Sequence, residues 1–365
     1  MTDPALIPTP AVIVDGDVLD RNIARMGSVL SARGVALRPH VKTHKVPEIA
    51  AKQLAAGAVG ITVATVGEAE VFAGSGVTDI FIAYPLWVDK AKAGRLRRLA
   101  TTTRITVGVD SLAGAEAMGR GLGSDAGRIL VSVEIDSGHH RSGVAPADAA
   151  DIAHGAAQAG LSVVGVFTFP GHSYAPGQAP AAARDEDAAL REAAAQLEAA
   201  GFPMAHISGG STPTALLDGP TAATELRPGV YVFGDAQQWE LGRCRPEDIA
   251  LTVASTVVSH QRTDSQQPGR FILDAGSKIL GSDRAPWATG YGRLLDHPDA
   301  RITALSEHHA TVEWPRGQVL PERGSRLRVV PNHVCLTMNL VDEVHHLSNG
   351  AVAGRWAVAA RGKNS

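Results

Sequence analysis

The chain is poor in cysteine. Cys244 and Cys335 are the only two in 365 residues, too few for a disulfide framework and suited to a reducing cytosol. Long hydrophobic runs are also missing: none approaches the roughly 20 residues that span a bilayer. The opening Met1-Thr2-Asp3-Pro4 carries neither the basic nor the apolar region of a leader. The expectation is a cytoplasmic protein. Charge of one sign is scarce too. The net charge is −3, Lys and Arg form no long block, and Arg95-Leu96-Arg97-Arg98 falls in a helical pattern as a solvated face. This gives no electrostatic basis for binding nucleic acid or an anionic membrane. No internal repeat or low-complexity linker interrupts the chain. What remains, 44% hydrophobic and 19% charged residues, describes a soluble globular protein of one large or two ordinary domains.

Short apolar, β-branched runs recur over residues 35–41, 61–65, 80–84, 104–109, 129–136, 163–169, 206–209 and 229–233. Alanine-rich amphipathic stretches such as 47–56, 68–73, 147–159 and 182–199 separate most of them; the gap 212–225 is the weakest helix. Continuous apolar runs alternating with helices imply parallel strands joined by crossovers. Eight such units predict a (β/α)8 TIM-type barrel over 16–245, with a doubly wound sheet as the alternative. After about residue 245 the pattern changes. Strand-like runs at 251–260, 270–275, 301–305, 310–314 and 326–330 are separated by turns with no convincing helix. A C-terminal all-β domain over 246–365 is expected, with the opening residues 1–15 pairing with it through a strand at 10–15.

In a barrel, chemistry collects at the C-terminal ends of the strands. The first run delivers Lys42. If the chain stays extended, His40, Lys42 and His44 face one way. Arg38, Lys45 and the two histidines would then crowd the ammonium and favour the free amine that forms Schiff bases. The alternative is a basic strand end at a solvated rim. The stretch from Asp136 to Gly143 follows the fifth run and contains Arg141, which could bind an oxyanion or pair with Asp136. After the sixth comes Pro170-Gly171-His172-Ser173-Tyr174, where Tyr174, one of four tyrosines, could meet a ring or simply be half-buried. After the seventh, Gly210, Ser211 and Thr212 could cradle a phosphate or form a plain turn.

In the second domain, Pro331-Asn332-His333-Val334-Cys335 places imidazole and thiol at i and i+2. On an extended segment both face one way and can chelate a single ion, with zinc the best match. Two ligands suit an open site completed by water or substrate; the alternative is a packed cysteine beside a surface histidine. Glu307-His308-His309 is a further polar cluster that could supply a base or lie in a loop.

Taken together, Arg38-Pro39-His40-Val41-Lys42-Thr43, Glu134-Ile135-Asp136 with His140-Arg141-Ser142-Gly143-Val144, Gly210-Ser211-Thr212-Pro213-Thr214, the run from Arg227 to Phe233, and Pro331-Asn332-His333-Val334-Cys335 resemble the D-serine dehydratase and D-threonine aldolase family. These are fold-type III pyridoxal-phosphate enzymes related to the N-terminal domain of alanine racemases. The resemblance implies an alanine-racemase-like barrel with a C-terminal β domain, usually dimeric. It implies that Lys42 carries the cofactor, that Gly210, Ser211 and Thr212 hold its phosphate, and that Arg141 and Tyr174 contact its ring, with Tyr231 nearby. His333 and Cys335 would bind the divalent metal, zinc before manganese or magnesium.

The His-x-Cys motif resembles the D-serine and 3-hydroxyaspartate dehydratases, whereas aldolases of the family often read His-x-Asp. The Pro170-Gly171-His172 stretch departs from the family's pattern. A dehydratase acting on a D-3-hydroxy amino acid is therefore expected, with a D-threonine aldolase as the alternative. A racemase, which needs no metal, a non-catalytic pyridoxal-phosphate carrier and a metal-dependent barrel hydrolase fit the motifs less well.

Overall fold

A computed structural model describes residues 3–261 and 269–365 of the chain. It divides into two compact units: residues 25–42, 49–229 and 362–365 form one, and 1–24, 43–48 and 230–361 the other. The chain begins with β1 (Ala11–Asp15) and α1 (Gly16–Ala32).

The first unit holds eight parallel strands: β2 (Ala36–Leu37), β3 (Ile61–Val63), β4 (Asp79–Pro85), β5 (Arg104–Val109), β6 (Leu130–Glu134), β7 (Ser162–Phe167), β8 (His206–Gly209) and β9 (Glu225–Leu226). Their order is β2-β9-β8-β7-β6-β5-β4-β3. A parallel bridge from His40 to Thr62 brings the first segment onto β3 and closes the ring. This is the expected barrel. The helices α2 (Pro47–Ala55), α3 (Val66–Gly74), α4 (Lys90–Leu99), α5 (Leu112–Leu122), α6 (Ala149–Gln158), α7 (Ala179–Ala199) and α8 (Thr212–Ala215) alternate with the strands. Three of them start where a side-chain oxygen takes an otherwise unpaired N–H: Thr65 accepts from Glu68, Asp89 from Lys92 and Ser111 from Gly114. Strand burial is nearly continuous on β3, β5 and β7, as parallel strands covered on both faces require. Inside, Phe81 and Phe167 meet edge to face with centroids 5.0 Å apart. Gly108 leaves room for that pair, since a Cβ there would stand 2.7 Å from the Phe167 ring.

Two strands differ from expectation. The first ladder covers only Ala36–Leu37, because Pro39 has no N–H to contribute. The eighth is Glu225–Leu226 rather than 229–233. Pro228 ends that ladder in the same way. The apolar run beyond it forms a 3-10 turn, Val230–Val232, buried in the other unit.

The second unit contains β1, α9 (Ala236–Glu240), β10 (Leu251–Gln261), β11 (Gly269–Leu273), α10 (Ser277–Leu280), β12 (Gly292–Leu294), β13 (Arg301–Leu305), β14 (Ala310–Trp314), β15 (Arg326–Pro331), α11 (Val334–Leu340), β16 (Glu343–Ser348) and β17 (Ala351–Ala357). The sheet runs β13-β14-β11-β10-β1-β16-β17, with β15 on β10 and β12 on β15. As expected, the opening strand joins it: Val12 lies opposite Val253, and β1 also runs parallel to β16. The unit is not free of helix, since α9, α10 and α11 interrupt it. No helix among the described residues is long and apolar enough to cross a membrane.

Candidate active site

Lys42 does not lie on a strand. The chain leaves β2 at Leu37, bridges once at His40, and turns through a 3-10 turn, Val41–Thr43. His40, Lys42 and His44 therefore do not share a strand face. His44 is buried in the second unit, where its Nδ1 accepts the Val46 N–H at 3.1 Å. Arg38 is not a free neighbour for the lysine either. Its guanidinium lies 2.8 Å from Glu225 and 2.5 Å from Asp79. The imidazole that does fall near Lys42 is that of His40. Burial, then the cations of Lys42 and Arg227, hold this imidazole well below its usual pKa. It is neutral at pH 7, and its Nδ1 is buried without a hydrogen-bond partner.

The loop after β8 turns at Gly210, whose φ of +85° suits glycine. A Cβ there would come within 2.9 Å of the Leu226 side chain. Gly210 does not offer its N–H to the loop's mouth, because that group donates to Glu186. The hydroxyls are better placed. Ser211 Oγ lies 2.9 Å from Ser173 Oγ and 3.0 Å from Thr214 Oγ1. Thr212 Oγ1 is buried and has no partner. An orphaned hydroxyl beside a cluster of three others suits a group rich in acceptor oxygens, as a phosphate is.

Arg141 stands between two rings, 5.1 Å from Phe169 and 5.6 Å from Tyr84, an arrangement that favours a cation. It does not pair with Asp136. That carboxylate accepts the N–H groups of Gly138 and His140 and faces the His140 ring at 2.7 Å. Arg141 lies instead 3.9 Å from Glu134. Tyr174 ends the 3-10 turn Gly171–Tyr174, tilted against Phe169 at 6.2 Å. His172 faces Asp185 at 3.3 Å, and Gly171 provides the space into which His139 fits.

Sequence reasoning gave no role to Arg227. It is buried within the barrel, donates to Ser208 and to the Thr168 carbonyl, and lies over Phe81 and Phe167. Burial pushes its pKa down to about 10, against the pull of Glu225, Glu186 and Glu134. An arginine at a strand end inside an apolar run was the available signal.

His333 and Cys335 are in the second unit, and not on an extended segment. Asn332 ends β15 by donating to the carbonyls of Asp283 and Gly290. His333 then caps α11, which places Cys335 in its first turn. The two still interact: the Cys335 sulfur, followed by the hydrogen bond to Asp235, holds the His333 imidazole well above its usual pKa. Asp235 Oδ2 lies 3.5 Å from His333 Nδ1, and Asp235 is itself fixed by capping α9. Cys335 donates to Thr43 Oγ1 at 3.4 Å. Among the described residues no three His, Cys, Asp or Glu side chains form a metal-binding group. The donors present, imidazole and thiol with a carboxylate behind the imidazole, have the chemistry of an open divalent-metal site.

Tyr231 is buried in this second unit. Glu307, His308 and His309 are exposed at the turn between β13 and β14, where Glu307 pairs with Lys278 at 2.8 Å. Lys42, Arg141, Tyr174, Gly210, Ser211 and Thr212 belong to the barrel unit.

Comparison with known proteins covers both units. Residues 14–237 match the family model described as "Alanine racemase, N-terminal domain", and 250–347 match the "Putative serine dehydratase domain". Over 358 residues, 91% of this chain and 92% of the relative, the sequence is 39% identical to D-threo-3-hydroxyaspartate dehydratase of Delftia sp. (strain HT23). It is 34% identical to D-threonine aldolase of Arthrobacter sp, over 98% of this chain and 94% of that one. A solved structure of a D-threo-3-hydroxyaspartate dehydratase mutant in the metal-free form superposes with a TM-score of 0.88 at 35% identity, covering 98% of this chain and 99% of that chain.

Proposed function

This chain belongs to the alanine racemase N-terminal domain family, here joined to a serine dehydratase domain, and from that premise we propose a pyridoxal-phosphate- and divalent-metal-dependent lyase. Its substrate would be a D-3-hydroxy amino acid, which loses its α-proton and β-hydroxyl as water; hydrolysis of the resulting enamine then gives a keto acid and ammonia. The observation that carries this reading is the His333–Cys335 pair backed by Asp235, in a chain whose barrel presents a lysine and a hydroxyl-lined loop. The Delftia dehydratase, similar over nearly the whole length, supports the choice of reaction.

Pyridoxal phosphate would supply an electron sink for the substrate's α-carbon, and a divalent metal, zinc by its donors, a Lewis acid for the β-hydroxyl. The chain's own residues do the rest. Lys42 Nζ is the amine that would hold the cofactor and would serve as the base for the substrate's α-proton. Ser211 and Thr212 hold the phosphate through their hydroxyls, and Gly210 shapes the turn that presents them. Arg141 and Tyr174 would bind and orient the ring. His333 and Cys335 hold the metal. The protein is assigned to the cytoplasm, consistent with Cys244 and Cys335 forming no disulfide, and to a homodimer.

The similarity to an Arthrobacter D-threonine aldolase across 98% of the chain favours a second reading, in which the Cα–Cβ bond breaks instead. One experiment separates them. Purified protein loaded with pyridoxal phosphate and zinc or manganese is given D-serine, D-threonine and D-threo-3-hydroxyaspartate, and keto acid, ammonia and glycine are measured together. Keto acid with ammonia, lost on chelation, supports the dehydratase. Glycine with an aldehyde moves the chain to the aldolases.

A further inference from the structure

Glu134 is the last residue of β6 and is 3% exposed. One of its carboxylate oxygens accepts the Ser142 hydroxyl at 3.0 Å. The other, Oε2, is buried and has no hydrogen-bond partner. Leaving such an atom unpaired costs about 1–3 kcal/mol, so the side chain wants a donor. The nearest cation is Arg141, whose Nη2 lies 3.9 Å from Oε1, in ion-pair range but too far for a hydrogen bond.

The loop between them explains how two residues seven apart come side by side. Asp136 donates its N–H to the Val144 carbonyl, and Val144 donates to the Glu134 carbonyl, which pins the neck of the loop. Gly143 permits the return: its φ is +97°, and a Cβ there would stand 2.7 Å from the backbone of Ile135 and Asp136. The rings of Tyr84 and Phe169 flank the Arg141 guanidinium, while 40% of its side chain stays exposed. The planar fork therefore has one edge towards Glu134 and another left for a ligand.

We propose that Glu134 is a positioning residue for Arg141. Its buried carboxylate closes onto the inner edge of the guanidinium and fixes the outer edge to bind the ring oxyanion of pyridoxal phosphate. This rests on the cofactor reading given above. Two further charges act on this carboxylate, Asp110, which accepts the Gly143 N–H at 3.4 Å, and Arg227, and both do so more weakly than Arg141.

The test is a cofactor titration, followed by the absorbance of bound pyridoxal phosphate, on wild type, Glu134→Gln, Arg141→Ala and the double variant. Gln keeps the size of the side chain and an acceptor for Ser142. The single variants are expected to weaken cofactor affinity roughly tenfold each, the worth of one charge-assisted hydrogen bond. They should also displace the pH titration of the visible band in the same direction. In the double variant, Glu134→Gln should add nothing to Arg141→Ala. Glu134→Asp, which keeps the charge but withdraws it by one methylene, should weaken affinity as well and serves if the glutamine variant does not fold. An unchanged affinity and band titration in Glu134→Gln, or a full additive loss in the double variant, would overturn the positioning role alone. A wild type that binds no pyridoxal phosphate would overturn the cofactor reading and this role with it.

Discussion

The Glu186 carboxyl accepts the backbone N–H of Gly210, from inside the wall between α7 and the loop after β8. It is buried, with Arg227 and Asp187 as the charges that act on it. Burial pushes its pKa up to about 7, against the Gly210 hydrogen bond and Arg227, which both pull it down.

That shift fixes a sign for stability against pH. Between the ordinary carboxylate range and about 7, the folded protein keeps a proton that the unfolded chain has released. Stability from this group is therefore full at low pH and is lost as pH rises through that window. Glu186→Gln retains a carbonyl for Gly210 but cannot ionise. Urea denaturation at pH 5, 6.5 and 8 should show the variant gaining on wild type as pH rises, to about 2–3 kcal/mol at pH 8. Parallel curves at all three pH values would show that Glu186 does not titrate in this range.

Gly210→Ala tests the turn itself. The new methyl group would enter at positive φ and meet Leu226 at 2.9 Å. Strain and overpacking should together cost about 2–4 kcal/mol, read as a lower denaturation midpoint. Gly177→Ala is the control for backbone strain alone, since its φ is +75° and nothing lies within 4 Å. The difference between the two isolates the packing against Leu226. Equal losses would mean that the loop yields freely.

Much of this architecture could be read from the chain, for identifiable reasons. The middle strands of the barrel, covered on both faces, leave unbroken apolar runs such as Ile105 to Val109, and their helices are marked by alanine. The strands β2 and β9 were misjudged because each has two ladder residues beside a proline, Pro39 or Pro228, so the neighbouring apolar run carried the pattern elsewhere. His333 and Cys335 were found as residues but placed on a strand, because their spacing also fits period two. In the structure His333 caps a helix. Asp235 gave no signal, being remote in sequence from the pair it supports. Glu186 sits within Asp185-Glu186-Asp187, which looks like a solvated helix face; only the helix's rotation against β8 buries the middle one.

Arg38 holds the opposite end of the barrel. It joins Glu225 and Asp79, the first residues of β9 and β4, with His206 3.9 Å from Glu225. Removing the cation leaves a buried carboxylate uncompensated, so Arg38→Met should destabilise by about 3–5 kcal/mol. Arg38→Met with Glu225→Gln should recover part of that loss. Burial pushes His206 down to about 4, with Arg38 adding to the effect and Glu225 opposing it. In Arg38→Met its imidazole should titrate at higher pH, observable by NMR. An unmoved His206 together with unchanged stability would show that the network is held by water rather than by Arg38.

The carboxylate of Asp235 behind His333 makes a prediction about the metal rather than the fold. Asp235 Oδ1 caps α9 by accepting the Gln238 N–H at 2.8 Å, while Oδ2 faces the His333 ring. Asparagine caps a helix about as well as aspartate, so Asp235→Asn should leave the midpoint of thermal unfolding close to that of wild type. It removes the charge that orients the imidazole and raises its basicity, and supporting groups of this kind are worth about 10–100-fold in metal affinity. Zinc release into a chromogenic chelator should accordingly be easier in Asp235→Asn, and Cys335→Ala should abolish binding while the cofactor's absorbance persists. If Asp235→Asn bound zinc as tightly as wild type, the imidazole would be oriented by its position at the start of α11 alone. If Cys335→Ala did so as well, the ion would lie elsewhere in the protein.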